Sequence, residues 1–196
     1  MKLALIATAA FAALSFNSAA QNAATAPQAA KYTVEPTHTF VTWEAKHFGI
    51  STSRGRFDKK DGLITIDKAA NTGTAEISIE TASINTGVAP FDGHLRSKDF
   101  FNAEAHPKAT FKADFKMESG RVASVPGQLT MLGMTKPVML KTNGFGCYEH
   151  PRFKKQVCGG DFEANIKRSD WGMSYGLPGI PDDVRIVVQI EAVAAE

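Results

Sequence analysis

Apolar residues recur at every second position along much of this chain, and this period of two constrains the fold more than any other feature. The pattern is clearest in residues 108–117 and 183–192, where apolar side chains alternate with mostly polar ones. Successive side chains of a β-strand point to opposite faces, so each segment predicts a strand with one dry face and one wet face. The residues expected inside are Phe111, Phe115, Ile186 and Val188, and those expected outside are Lys112, Lys116, Arg185 and Gln189.

Six further segments alternate more weakly: residues 39–45, 62–67, 74–80, 125–132, 136–143 and 162–168. In 136–143 the even positions Val138, Leu140 and Thr142 are expected to face inward together. Turn residues, glycine above all, separate most segments, which predicts about eight strands with short antiparallel connections. Large apolar residues at roughly helical spacing in 88–106 predict one or two short helices. Eight such strands can form a sandwich or close into a barrel, and the pattern alone does not choose between them.

The first 20 residues have the layout of a secretory signal peptide. Lys2 gives a positive start, residues 3–16 are almost entirely apolar, and small residues follow, so we expect cleavage before Gln21. The apolar run is shorter than the roughly 20 residues of a membrane-spanning helix. We therefore expect an exported protein with a signal peptide at 1–20, a flexible leader at 21–30 and one folded domain at 31–196.

The charge balance excludes some classes of partner. Loss of Lys2 with the signal peptide would lower the formal net charge from +2 to +1. A chain without excess basic charge has no general attraction for nucleic acid or anionic membranes. We therefore expect no nucleic-acid partner and no stable membrane insertion.

The two cysteines, Cys147 and Cys158, are expected to form a disulfide, because a cysteine pair in an exported protein is usually oxidised. The alternative is a metal site that uses His150, which lies between them. Their spacing matches no zinc pattern and too few further ligands lie nearby, so we expect no metal.

A series of short motifs points to a known family. They are Thr37-His38-Thr39, His47-Phe48-Gly49-Ile50-Ser51, Gly55-Arg56-Phe57, Ser83-Ile84-Asn85-Thr86, the run from Asp92 to Phe101, His106-Pro107, Gly127-Gln128-Leu129-Thr130, Thr135-Lys136-Pro137-Val138, Arg168-Ser169-Asp170-Trp171-Gly172 and Ile190-Glu191-Ala192. In this order and spacing, from Tyr32 to Ala192, the chain resembles the YceI-like polyisoprenoid-binding family. Any one motif is weak, and the specificity lies in their succession.

The resemblance implies an all-β fold, an extended antiparallel eight-stranded lipocalin-like β-barrel, in a periplasmic protein. The implied ligand is a polyisoprenoid or isoprenoid-quinone-like lipid held in the interior, with no cofactor. The resemblance leaves open whether the chain forms a homodimer. An apolar chain needs an apolar, water-excluding site. The candidate ligand-binding residues are therefore the inward-facing set together with two polar residues near one end: Val41, Trp43, Ile77, Ile79, Phe111, Phe115, Leu129, Val138, Leu140, Ile186, Val188, His94 and Arg96.

Several polar residues have competing interpretations. His94 and Arg96 could contact a phosphate or quinone head group, or Asp92, Arg96 and Asp99 could fix the helical segment to the barrel. His47 is expected to be an inward-facing core histidine whose polar atoms are satisfied.

Residues 172–176 match the G-x-S-x-G pattern of α/β-hydrolases. The prolines that follow obstruct the helix that this motif requires. We therefore expect no enzymatic activity. A ligand-free or stress-related interaction module with a filled barrel remains the alternative to a lipid-binding protein.

Overall fold

The computed structural model describes residues 29–152 and 154–195. The predicted signal peptide lies outside these residues, and so does most of the predicted leader. Within them the chain is mainly strand. The strands are β1 (Ala30–Val34), β2 (Phe40–His47), β3 (Ser51–Phe57), β4 (Lys60–Asp67), β5 (Thr72–Glu80), β6 (Ile84–Asn85), β7 (Lys108–Lys116), β8 (Ser124–Met131), β9 (Met134–Glu149), β10 (Gln156–Lys167) and β11 (Asp183–Ala194). The helices are α1 (Ala89–Arg96) and two short 3-10 turns, Thr81–Ser83 and Arg168–Trp171.

The sheet closes into an antiparallel barrel with eight strand positions. One position is shared by β1 and β2, which lie end to end and both pair with β11. The next is shared by β4, which pairs with β1, and β3, which pairs with β2. The remaining six positions are β5, β7, β8, β9, β10 and β11, in that order. The pairing of β1 with β11 completes the circle and removes the open edges that a sandwich would keep. The expected barrel is therefore confirmed, and the sandwich is excluded.

The predicted register is also confirmed. Phe115 is buried, while Phe111, Ile186 and Val188 are partly buried against the core. The four side chains expected outside are all exposed: Lys112, Lys116, Arg185 and Gln189. A slip by one residue would have exchanged these two sets.

Along β9, the even positions face inward only as far as a bulge. Val138 is buried, Leu140 packs on the core, and the Thr142 hydroxyl is buried. Thr142 then pairs with Phe162 but Gly144 pairs with Asp161, so one extra residue is inserted in β9. This insertion changes which positions face inward, and Phe145 packs against the core beyond it.

Three strands have no counterpart in the predicted set, namely β1, β3 and β6. Ser51–Phe57 has only one large apolar residue, so its period is invisible in the sequence. The structure also extends β9 to Glu149 and starts β10 at Gln156, and Cys147 and Cys158 are direct cross-strand neighbours there. They form the predicted disulfide, with a Cα–Cα distance of 4.0 Å.

The helix expected within 88–106 is α1, which lies at the end of the barrel where β2 and β3 meet. Leu95 is buried in one core cluster with Phe57 and Ile84. Asp92 is buried and its Oδ1 accepts hydrogen bonds from the Thr86 backbone N–H (2.7 Å) and hydroxyl (2.6 Å). These bonds hold the start of the helix against the barrel, so Asp92 has the structural role that the sequence offered as one alternative.

Candidate binding cavity

A cavity of about 550 Å³ lies inside the barrel. This volume falls within the range of small-molecule sites, about 300–1,000 Å³. Its walls are almost entirely apolar and come from both core clusters, so the two clusters form a lining around empty space rather than one filled core. The barrel is therefore hollow.

Glycines on neighbouring strands explain part of the open space. A Cβ built on Gly55 would lie 2.6 Å from the ring of Trp43, its direct cross-strand neighbour. Gly73 stands in the same relation to Phe115, with ring carbons at 2.6 and 2.9 Å. Because a glycine leaves room beside it, each ring lies along the wall instead of reaching across the interior.

The cavity is closed at the end that carries the disulfide. Tyr32, Phe115, Cys158 and Ala192 line it there and are all buried. The Tyr32 hydroxyl donates a hydrogen bond of 2.6 Å to Gln156 Oε1. Burial raises the pKa of Tyr32, so the phenol keeps its proton and this bond at neutral pH. We refer to these residues as the floor.

The opposite end is open. Of the residues that line the cavity, only Lys46 and His47 are exposed, and both lie at the end of β2. His94, Phe91 and Ile180 complete the lining on this side. We refer to this end as the mouth. The site is thus a blind, mainly apolar pocket whose exposed polar residues lie at the mouth.

All of the predicted ligand-binding residues except Arg96 line this cavity. They are Val41, Trp43, Ile77, Ile79, His94, Phe111, Phe115, Leu129, Val138, Leu140, Ile186 and Val188. The geometry is thus compatible with a shared binding role for these residues. Arg96 lies on the last turn of α1 and does not reach the lining.

His94 is positioned by its neighbours at the mouth. Its Nε2 lies 2.9 Å from Asp99 Oδ2, and its ring packs edge-on against Phe100 and Tyr175 at 5.1 and 5.0 Å. One ring nitrogen is therefore occupied, and the ring itself forms part of the wall. His94 thus lines the cavity and contacts Asp99, and its contact with a ligand head group stays a prediction.

The prediction for His47 was wrong. His47 is exposed rather than buried, and its ring makes an edge-on contact with Phe48 at 4.8 Å between centroids. It lies at the end of β2, where the strand projects past the core. Alternation therefore predicted the correct face of the strand for His47, but it could not predict that the side chain is exposed.

Sequence reasoning missed several lining residues. Phe145 follows the bulge, so the parity of β9 hid it, while Tyr32 lies on the unpredicted strand β1. Phe91, Phe100 and Met173 come from the helical segment and a loop, where a period of two does not apply. A helical period in 88–106 could have suggested Phe91 and Phe100.

Arg168 fixes the loop of residues 172–182 at the mouth. Its guanidinium donates hydrogen bonds to the carbonyl oxygens of Pro181 (3.1 Å), Met173 (2.9 Å) and Ile180 (2.9 Å). Burial lowers the pKa of Arg168, whereas nearby Asp182 raises it. The side chain is 4% exposed, so these three acceptors replace the water that a buried cation loses.

The G-x-S-x-G match of residues 172–176 can be tested against the structure. Ser174 of the G-x-S-x-G match is exposed, and residues 172–182 form turns and irregular structure with no helix. Among the described residues, no group of three or more His, Cys, Asp or Glu side chains could hold a metal ion. The match to the hydrolase pattern therefore lacks the strand–turn–helix context that gives it meaning.

Comparison with known proteins identifies the family. The family model of the YceI-like domain matches residues 32–192. The chain belongs to this family. A UPF0312 protein of Pseudomonas aeruginosa is 34% identical over 185 residues, covering 93% of this chain and 96% of the relative. Protein YceI of Escherichia coli O157:H7 is 33% identical over 160 residues, covering 81% and 83%.

Solved structures share the barrel. The YCEI protein of Campylobacter jejuni has a TM-score of 0.65 at 28% identity, covering 77% of this chain and 90% of that protein. Burkholderia cenocepacia BcnA has a TM-score of 0.63 at 25% identity, covering 81% and 99%. A polyisoprenoid-binding domain from Saccharophagus degradans, implicated in plant cell wall breakdown, has a TM-score of 0.60 at 16% identity, covering 84% and 98%, which shows a common fold.

No helix in residues 29–152 or 154–195 has the length and apolar character needed to cross a membrane.

Proposed function

We propose that this protein binds one long apolar amphiphile, a polyisoprenoid or an isoprenoid quinone or its precursor, inside the barrel. The observation that carries the proposal is the blind cavity, whose lining is mainly apolar and whose only exposed lining residues, Lys46 and His47, lie at the mouth. A prenyl chain has only apolar surface, so a site for it needs dispersion contacts and exclusion of water rather than directed hydrogen bonds. A filled barrel, the alternative from the sequence, would have no such space.

The cavity also suggests how the ligand is oriented. The tail would extend toward Tyr32 and Phe115 at the floor, and the head group would stay near Lys46 and His47 at the mouth. Burial of a CH₂ group contributes about 0.8 kcal/mol, so a few isoprene units provide on the order of 10 kcal/mol before the entropy of association is subtracted.

The comparisons support the same class of ligand. The neighbour from Saccharophagus degradans is a polyisoprenoid-binding domain, and its barrel covers 84% of this chain. The identity between the two is low, so the ligand of that domain is a guide to chemical class and not to chain length or head group.

Carriage or storage in the periplasm fits the rest of the molecule. The predicted signal peptide would export the chain, and the Cys147–Cys158 disulfide is of a kind that persists in an oxidising compartment. An apolar molecule enclosed in a barrel could cross an aqueous space from one membrane to another. Cell fractionation that recovers the protein in the cytoplasm, with both cysteines reduced, would contradict this part of the proposal.

Extraction of the purified protein tests the binding proposal directly. Organic solvent should release an apolar lipid in a near-stoichiometric amount, identifiable by mass spectrometry. The same procedure on a variant with a blocked cavity, Leu140→Trp, is the matched control and should release much less. Equal amounts from both proteins would show that the lipid adheres elsewhere, and none from either would remove the basis of the proposal.

A further inference from the structure

Large apolar side chains are exposed mainly around the mouth of the cavity. Ile50, at the tip of the β2–β3 hairpin, is 88% exposed, and Phe48 in the same hairpin is 63% exposed. Val88 precedes α1, and Tyr175 and Leu177 belong to the loop of residues 172–182; all three are also exposed. We call these five side chains the apolar rim.

Contacts link the three segments that carry the rim to one another. The Phe48 backbone N–H donates a hydrogen bond to Gly179 O at 3.2 Å, which joins the hairpin to the loop. The Tyr175 ring lies 5.0 Å from the ring of His94 on α1, which joins the loop to the helix. Phe91 of α1 meets Trp43 of β2 at 6.4 Å and completes the circle. The segments that carry the rim are therefore held together around the opening.

The backbone of the hairpin displays these side chains at a conformational cost. Phe48 has φ of 50° and Gly49 has φ of 70°. A left-handed conformation is uncommon for a bulky residue such as Phe. Ile50 gains little burial in return, because most of its surface faces solvent. A hairpin tip that needed only to connect β2 and β3 would be better served by polar turn residues.

Basic side chains without partners flank the rim. Lys46 lies at the mouth, and Arg96 and Lys98 lie at the end of α1. Within the described residues, none of these three side chains forms a hydrogen bond or an ion pair, so they remain available to an external anion.

Most acidic side chains at the same end already have partners. Asp99 lies against His94, Asp183 pairs with Lys167 at 3.2 Å, and Asp182 accepts a hydrogen bond from the Ser169 hydroxyl at 2.7 Å. Asp170 and Glu104 are exposed and would oppose an anionic surface here; Glu104 follows Ala103, whose backbone N–H donates a hydrogen bond to the Arg96 carbonyl at 3.0 Å. The three basic side chains therefore outnumber these two acids.

We propose that the apolar rim docks the mouth on a phospholipid bilayer. Phe48 and Ile50 would enter the boundary between head groups and acyl chains, and Lys46, Arg96 and Lys98 would face lipid phosphates. Apolar side chains placed beside basic ones are the combination that holds peripheral proteins at this interface. The inference rests on the proposed function, since a ligand that is insoluble in water must pass between a bilayer and the cavity. A protruding hairpin tip also suits insertion into lipid better than it suits a flat protein interface.

Vesicle binding tests this inference. The protein is mixed with phosphatidylcholine vesicles that contain a minority of phosphatidylglycerol, and the bound fraction is measured by flotation. We expect the double variant Phe48→Ser, Ile50→Ser to bind at least about tenfold more weakly than the wild type, because each substitution removes an apolar side chain from the interface. The matched control is Leu63→Ser, Met139→Ser, whose side chains are 41% and 51% exposed on the barrel wall. The control should bind as the wild type does.

Two results would overturn the proposal. One is a wild-type protein that does not float together with the vesicles, at either low or high phosphatidylglycerol content. The other is a rim variant that binds as tightly as the wild type, or no more weakly than the control variant. Lipid extraction from the same preparations keeps the two proposals apart. Extractable lipid without vesicle binding refutes the docking surface alone, whereas absence of extractable lipid refutes the proposed function.

Discussion

Replacement of Leu140 by Trp should fill part of the cavity without disturbing the outer face of the barrel. Leu140 lies on β9 opposite Val125, is only partly buried and lines the cavity. In a hollow barrel the new ring occupies space that the ligand would otherwise use. In a filled core the same substitution would overpack the interior and destabilise the fold by about 1–3 kcal/mol. The variant therefore distinguishes the two interiors.

Thermal unfolding with and without a prenyl alcohol such as farnesol gives the magnitude. A ligand at a concentration of 100 times its Kd that binds only the folded state adds about 2.7 kcal/mol to the free energy of unfolding. For a chain of this length that corresponds to a rise in Tm of roughly 5–11 °C. The wild type should show this rise, and Leu140→Trp should show little of it. Without ligand, the variant should lose less than about 1 kcal/mol relative to the delipidated wild type.

Leu63→Trp is the matched control for this experiment. Leu63 lies on β4 beside Ile64, but it faces outward and is 41% exposed, whereas Ile64 lines the cavity. The control should keep the full ligand-induced rise in Tm. A Leu140→Trp protein that also keeps the full rise would refute the position assigned to the ligand. A variant destabilised by about 3 kcal/mol without ligand would indicate a filled core.

Three further experiments test other parts of the structure. Gly73→Ala should push the Phe115 ring into the cavity, since the new Cβ would lie 2.6 Å from a ring carbon, and native mass spectrometry should detect less bound lipid. Gly73→Ala combined with Phe115→Leu should restore the amount of bound lipid. Failure to restore it would show that displacement of the Phe115 ring is not the cause of the loss. Serine in place of both Cys147 and Cys158 should lower the free energy of unfolding, measured by urea denaturation, by roughly 3 kcal/mol from the loss of the chain-entropy effect of the disulfide. An unchanged free energy of unfolding would show that the β9–β10 hairpin does not depend on the disulfide. Burial alone would raise the pKa of Glu35, but hydrogen bonds from Thr37 and His38 outweigh it and lower the pKa from 4.5 to about 2. Because the folded-state pKa is depressed, this stabilisation is full above about pH 4.5 and is lost as the pH falls through about 2. Glu35→Gln should therefore be less stable than the wild type at neutral pH by on the order of 1–3 kcal/mol, with a smaller difference at pH 2, and a constant difference across this range would contradict the assignment.

Alternation of side chains was sufficient to predict eight of the eleven strands in the described residues, and the inward face of β7 and β11. Phe111 and Phe115 point inward because the pleat places every second residue on one face, whatever the partner strand is. The same rule failed where the local pattern is not apolar. Ser51–Phe57 becomes β3 because it pairs along β2, and this pairing cannot be read from the residues of β3 alone.

The cavity could not be predicted from alternation, because hollow and filled barrels have the same pattern of inward-facing residues. Its open space depends on which residue lies across from which. Trp43 lies along the wall because its cross-strand neighbour is Gly55, and that neighbour follows only from the register of β2 and β3. The family resemblance supplied what the pattern could not.

Polar residues at the mouth were the least predictable part of the site. Arg96 and His94 are two positions apart on α1, yet only His94 reaches the cavity. The difference comes from the rotation of the helix on the barrel, which Asp92 fixes through Thr86. The rotation of α1 on the barrel cannot be predicted from the spacing of residues in the sequence.

An experimental crystal structure of the purified protein tests the central claim most directly. We predict continuous electron density for an extended apolar chain, with its head near Lys46 and His47 and its tail between Tyr32 and Phe115 at the floor. Crystals of Leu140→Trp grown in parallel should show this density interrupted or absent. A barrel whose interior is filled by its own side chains, or a ligand bound on the outer wall with the cavity empty, would contradict the account.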